Sequence, residues 1–320
     1  VSGAPPLVAL VHGFLGTPDD WDPVRRELAS RGLPDATTVD LVECAHDPEC
    51  AAALERAARL DPDALADVDG APEVPVGGRE HADAACAASH DVAAHSRIGE
   101  DGLDALAAGL DRRIGAAWRD AARGGRQVVL CGYSLGGRVC LALAGRALAG
   151  IPSAQSACIV IGADPGIGEA HERSLRAGRD RAHAMHLRDD PAAFLASWYA
   201  QPLFASLRTS REYDAVVARR RAALEDRRVR DAWSLILDAC SPGRCAPRWS
   251  VAAELGHRLA FVYGALDDKF AAVARRIHAH SPRTPTIPVP GAGHAAHVEQ
   301  PKACADAIAS IIAAPIPSHP

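Results

Sequence analysis

The strongest chemical signal in the chain is Gly132-Tyr133-Ser134-Leu135-Gly136, a G-x-S-x-G pentapeptide. A serine on a tight strand-to-helix turn crowds its neighbours, and flanking glycines relieve that crowding. The context fits: Val128 to Gly132 is an apolar strand pattern, and Gly136 to Leu148 is an Ala- and Leu-rich helix pattern. A helix N-terminus behind the serine favours a developing anion. The alcohol needs a base, and the base needs a carboxylate to hold its tautomer. Asp267 and Asp268 follow the apolar run Leu259 to Tyr263, and His294 follows Gly291-Ala292-Gly293. Position after the strand favours Asp267; Asp268 competes, or caps the following helix. His297 is the alternative base. The backbone N–H groups of Leu135 and of Phe14, in the loop His12-Gly13-Phe14-Leu15-Gly16, are the candidate oxyanion hole. His12 itself reads as a structural, hydrogen-bonded histidine.

The elements that must position these residues alternate along the chain. Leu7 to His12 is a strand pattern after Pro5-Pro6. A helix pattern then runs from Asp19-Asp20 through Arg31, with Trp21, Val24 and Leu28 on one face. Thr37 to Leu41 reads as a second strand, Gly102 to Arg123 as a helix, and Ala157 to Gly162, Leu259 to Tyr263 and Thr286 to Val289 as further strands. Such alternation predicts an α/β fold, a mainly parallel sheet flanked by helices with right-handed crossovers. Residues 166–250 hold arginine-rich helix patterns and no clear strand. The expected division is a core of 1–164 and 251–320 and a helical cap of 165–250. Residues 43–100 interrupt the rhythm. They read as an Ala- and Asp-rich insertion, partly mobile, with one weak helix at 51–56, able to shade the pocket and dispensable for folding. Cys44, His46, Cys50, His81, Cys86, His90 and His95 fall there without a zinc spacing. No metal and no cofactor is expected.

Composition narrows the class. Of 320 residues 48% are hydrophobic, which excludes global disorder, and only 4% are aromatic, so the core is built from Ala, Val, Leu and Ile. A net charge of −5 offers no bulk field for nucleic acid or anionic membrane. No apolar run reaches the length of a membrane span, and the first residues show no signal-peptide pattern. Nine cysteines include no CxxC motif, and Cys131, Cys140 and Cys158 lie in apolar segments. The expectation is a cytoplasmic protein, monomeric or weakly self-associating. Of 35 basic residues only Lys269 and Lys302 are lysines. Composition explains most of that bias, and some arginines are expected as forks for carboxylates.

Three segments, HGFLG, GYSLGGR and GAGHAAHVEQP, together resemble the α/β-hydrolase superfamily. More specifically the chain resembles the 2-succinyl-6-hydroxy-2,4-cyclohexadiene-1-carboxylate synthases, lyases of menaquinone biosynthesis. Asp164-Pro165-Gly166-Ile167, the arginine-rich stretch Glu172 to Arg176, and Trp198-Tyr199-Ala200-Gln201-Pro202-Leu203-Phe204-Ala205-Ser206-Leu207 carry that closer likeness. It covers about residues 7–41 and 102–312 and leaves the insertion unmatched. The resemblance implies an α/β-hydrolase fold with an inserted helical cap. It also implies elimination of pyruvate from a polycarboxylate cyclohexene, with Ser134 as a base primed by His294 and Asp267. By motif position it implies substrate contacts from Arg138, Arg176 and Arg219, with Arg220 and Arg221 competing for the last place, and a pocket walled by Tyr133, Trp198 and Phe204. The competing reading is a serine ester hydrolase working through an acyl-enzyme. A catalytically silent binding protein is disfavoured by the complete set of triad residues.

Overall fold

The computed structural model of the chain describes residues 4–34, 36–59, 101–148 and 151–314. Six strands form one parallel sheet: β1 (Leu7–Val11), β2 (Ala36–Val39), β3 (Val128–Tyr133), β4 (Ser156–Ile161), β5 (Leu259–Gly264) and β6 (Thr286–Val289), in the order β2-β1-β3-β4-β5-β6. Among the described residues the helices are α1 (Asp22–Ser30), α2 (Leu41–Ala45), α3 (Pro48–Arg59), α4 (Gly102–Arg123), α5 (Leu135–Ala147), α6 (Ala170–Asp189), α7 (Pro191–Ala200), α8 (Ala205–Thr209), α9 (Tyr213–Glu225), α10 (Arg227–Ala239), α11 (Trp249–Leu255), α12 (Asp268–His280), α13 (Ala296–Glu299) and α14 (Pro301–Ala313).

Topology places the site. From β1 the chain steps outward to β2, then returns across β1 to β3 and continues to β6. With right-handed crossovers, this reversal puts α1 on one face and α4, α5 and α12 on the other. Packing agrees: α4, α5, α11 and α12 form one contiguous layer, and α1 packs against α14. The reversal opens a crevice at the carboxyl ends of β1 and β3, where open α/β sheets bind ligands. Those ends carry the Phe14 loop and Ser134. Both faces of the sheet are covered, so β3 and β4 are buried along their whole length and read as continuous apolar runs.

Between β4 and β5 the described residues are helical, as expected for 166–250. Helix α10 packs against α6, and α11 lies against the core helices α5 and α12.

Two expectations are corrected. The second strand ends at Val39, not Leu41. The Asp40 carboxylate accepts the Val42 N–H at 2.8 Å and so caps α2, which starts at Leu41. The insertion also begins with firmly packed structure rather than one weak helix. Helix α3 buries Cys50, Ala53, Leu54 and Ala57, a face at spacings of three and four, and packs against α4 and α10. A deletion of 45–95 would remove that helix and its packing. Residues 60–100, with His81, Cys86, His90 and His95, lie outside the described residues. Burial pushes the Cys44 thiol up to about 12 and the Cys50 thiol up to about 11, which keeps both protonated and poor as metal ligands.

Candidate active site

Ser134 links β3 to α5 in a backbone conformation that side chains rarely adopt, φ 51° and ψ −114°. Such strain persists only where surrounding structure enforces it. Here the Ser134 N–H donates to the Ile161 carbonyl at 2.8 Å, and Gly136 lies against β1. A Cβ at Gly136 would sit 2.4 Å from the His12 carbonyl oxygen. The turn lifts Ser134 Oγ to 3.3 Å from His294 Nε2, and His294 Nδ1 lies 3.2 Å from Asp267 Oδ2.

Asp267 both faces His294 and caps a helix. Its second oxygen, Oδ1, accepts the Phe270 N–H at 3.1 Å, while Asp268 is the exposed first residue of α12. The capping role considered for Asp268 therefore falls on Asp267, which fixes the carboxylate facing His294. Burial holds the His294 imidazolium below its ordinary range, and the hydrogen bond and charge of Asp267 work against that shift. His294 is thus neutral near pH 7 and able to accept a proton.

His297 is placed elsewhere, on α13, 4.7 Å from the Trp21 ring and 4.2 Å from the Tyr133 ring. Burial pushes it down to about 3, so it is an uncharged wall residue. His12 lies beneath the Phe14 loop. Its Nδ1 bonds the Gly13 carbonyl at 3.0 Å and its Nε2 accepts the Leu41 N–H at 3.1 Å. Those partners assign the proton to Nδ1 and leave the ring structural.

The triad opens into a cavity of about 270 Å³. Phe14, Tyr133, Leu135, Arg138, Arg176, Trp198 and Phe204 all line it, as do Asp20, Asp180, Lys269 and Arg220. As the first residue of α5, Leu135 has an N–H with no carbonyl four residues back in its helix to bond, which suits an oxyanion site. Arg138 Nη1 donates to the Cys240 carbonyl at 2.8 Å, and Arg176 Nε donates to Asp180 Oδ2 at 2.8 Å.

Arg219, the arginine expected on α9, does not line the cavity. Its side chain is 41% exposed and bonds Asp20 Oδ1 at 3.2 Å. The buried face of α9 is Val216, Arg220 and Leu224, a spacing of four, so Arg220 is the guanidinium that faces inward. Asp20 holds it: Oδ2 accepts from Arg220 and from the Thr17 N–H at 3.0 Å. Burial alone would raise Asp20, but the charge and hydrogen bond of Arg220 and the Thr17 N–H act together against it and keep the carboxyl below its usual range.

Asp20, Asp180, Lys269 and Glu299 were not anticipated. Asp20 reads in sequence only as part of a helix start. Lys269 stands out only as one of two lysines. In the cavity wall, desolvation and then the Arg176 charge lower its ammonium below the ordinary lysine range. Among the described residues no group of His, Cys, Asp and Glu is arranged to hold a metal ion.

An Ser-His-Asp relay at the carboxyl edge of a parallel sheet defines a class, and comparison agrees with it. Residues 8–307 match the alpha/beta hydrolase family, and the chain belongs to that family as an enzyme of its superfamily. Within it, the chain is 35% identical over 187 residues to 2-succinyl-6-hydroxy-2,4-cyclohexadiene-1-carboxylate synthase of Escherichia coli O7:K1, covering 57% of this chain and 67% of that protein. The same identity and coverage hold for the synthase of Shigella flexneri serotype 5b. Among solved structures, MenH from S. aureus aligns with a TM-score of 0.66 at 21% identity over 97% of this chain and 95% of that one. The enol-lactonase from Burkholderia xenovorans LB400 aligns at 0.58 and 15% identity over 98% and 93%. At these identities the two structures speak for the fold.

Proposed function

We propose that this enzyme eliminates pyruvate from 2-succinyl-5-enolpyruvyl-6-hydroxy-3-cyclohexene-1-carboxylate, a step of menaquinone biosynthesis. The observation that carries the reading is a serine triad opening into the same cavity as four arginines, Arg138, Arg176, Arg179 and Arg220. Planar, permanently charged forks suit the substrate's several carboxylates. The likeness to the synthases of E. coli and Shigella supports the same choice.

The chemistry follows from the substrate's connectivity. The ring C–H beside the succinyl ketone is acidic because its carbanion is an enolate. His294 draws the Ser134 proton, and the Ser134 oxygen takes the ring proton. The electron pair of the broken C–H bond forms a new ring double bond, the existing one shifts by one position, and the C–O bond to the enolpyruvyl group breaks. The departing enolate takes a proton and becomes pyruvate, leaving the cyclohexadiene. Charge on the ketone oxygen in the transition state is met by the N–H groups of Phe14 and Leu135. Asp267 stabilises the imidazolium that forms.

The test is to incubate the protein with this substrate and follow pyruvate release. Turnover is expected, with Ser134→Ala lowering kcat/KM by about 10³-fold or more. An absence of pyruvate alongside rapid cleavage of a p-nitrophenyl ester would replace the lyase with an acyl-enzyme hydrolase.

A further inference from the structure

The carboxylate of Glu299, on α13, grips the backbone on both sides of His294. Its Oε2 accepts the Gly293 N–H at 2.9 Å and its Oε1 accepts the Ala295 N–H at 3.0 Å. The same Oε2 accepts the hydroxyl of Ser206, on α8 in the helical block between β4 and β5. Close packing enforces this seat: a Cβ on Gly293 would lie 2.6 Å from Ser206 Cβ. Two residues before Ser206, the Phe204 ring stands edge-on to the His294 ring, centroids 5.9 Å apart. One carboxylate therefore fastens the histidine loop and docks the helical block onto it. Ionised carboxylates only accept, and their bonds to N–H and O–H donors are about twice as strong as neutral ones.

The distances make this matter. The two triad contacts, 3.3 and 3.2 Å, are at the long end for hydrogen bonds, so a shift of a few tenths of an ångström decides whether proton transfer is in reach. We propose that Glu299 is a positioning residue for His294, and that Ser206 makes the position of the base depend on the seating of α8. The proposal rests on the triad reading of Ser134, His294 and Asp267, and not on the identity of the substrate.

Glu299 also acts through its charge. The groups facing His294 are Asp267 and Lys269 from the turn and first residues of α12, Tyr133 from β3, and His297 and Glu299 from α13. Asp267 and Glu299 favour the imidazolium and Lys269 opposes it. Replacing Glu299 by a neutral amide therefore lowers the pH at which His294 gains its proton. The acid limb of kcat/KM, which requires neutral His294, moves to lower pH. A purely structural role would not move it.

The experiment compares Ser206→Ala, Glu299→Gln and the double variant by pyruvate release, by the rate at which a fluorophosphonate labels Ser134, and by thermal unfolding. Ser206→Ala is expected to lower kcat and labelling by about 5- to 20-fold with KM changed less than about twofold. Glu299→Gln is expected to lower both by about 100-fold and to move the acid limb downward. The double variant is expected within about twofold of Glu299→Gln, because both changes act through one chain of bonds. Rates for Ser206→Ala within about twofold of the unaltered enzyme, or an acid limb that Glu299→Gln leaves in place, overturn the proposal. If Glu299→Gln fails to fold, labelling of Ser206→Ala decides alone. Slowed labelling in a protein that releases no pyruvate would sink the lyase reading and sustain the clamp.

Discussion

At the scale of single residues, Arg219 and Arg220 are one position apart and do different things. Arg220 is buried against Asp20 in the cavity wall, whereas Arg219 reaches the same carboxylate from outside. Arg220→Lys keeps a charge but loses the planar fork, and is expected to lower kcat/KM by about tenfold or more. Arg219→Ala is expected to change it by less than about threefold, as for a half-exposed ion pair. Steady-state kinetics on both variants checks the assignment, and equal effects would refute it. The motif position implied by the family resemblance brought the arginine within a residue or two. Only the buried face of α9 separates the neighbours.

At the scale of elements, the strand–turn–helix around Ser134 carries the most constraint. Gly136 meets backbone, not flexible side chain: a Cβ would fall 2.4 Å from the carbonyl oxygens of both Val11 and His12. Gly136→Ala must therefore push β1 from α5. It is expected to cost about 3 kcal/mol of stability and most of the activity, read by urea unfolding and by turnover. A variant with unchanged midpoint and rate would mean that the turn is slack. This element was legible because its signals are local: an apolar run, a glycine pair and a helix pattern in direct succession. Helix α3 was legible only as a weak helix at 51–56: Cys50, Ala53, Leu54 and Ala57 trace one helical face, but their small side chains make a faint apolar stripe.

At the scale of the whole molecule, a buried cluster ties the chain leaving the helical block to the core. Arg248 Nη2 bonds Asp101 Oδ1 at 3.1 Å and Asp104 Oδ1 at 3.0 Å, and Asp101 Oδ2 also accepts the Ala246 N–H at 3.0 Å. Asp101 caps α4, so the cluster joins α4 to the segment entering α11. Burial, and then the charge of Asp101, raises Asp104 above its ordinary value despite the guanidinium. Arg248→Leu removes the guanidinium shared by two buried carboxylates, leaving Asp104 its Arg146 pair and Asp101 the Ala246 N–H, and is expected to cost about 3 kcal/mol, measured by urea unfolding. A loss below about 1 kcal/mol would show that water replaces the guanidinium. Helix α10 adds a second tie, because it packs on both α6 and α3. The first part of the insertion thus supports the helical block from below.

The sequence by itself determined the alternation of strands and helices, the turn at Ser134, and the chain order of its candidate partners. Each of these is written in residues adjacent along the chain or at a fixed helical or strand period. The tertiary structure alone decided which guanidinium faces the cavity, that Asp20 orients it, and that Asp267 both caps α12 and bonds His294. It also decided that Glu299 binds Ser206 beside His294. Asp20 and Arg220 are 200 positions apart, and Ser206 and Glu299 are 93. No local period connects such pairs. They meet because the sheet reverses at β1 and the helical block folds back over its carboxyl edge.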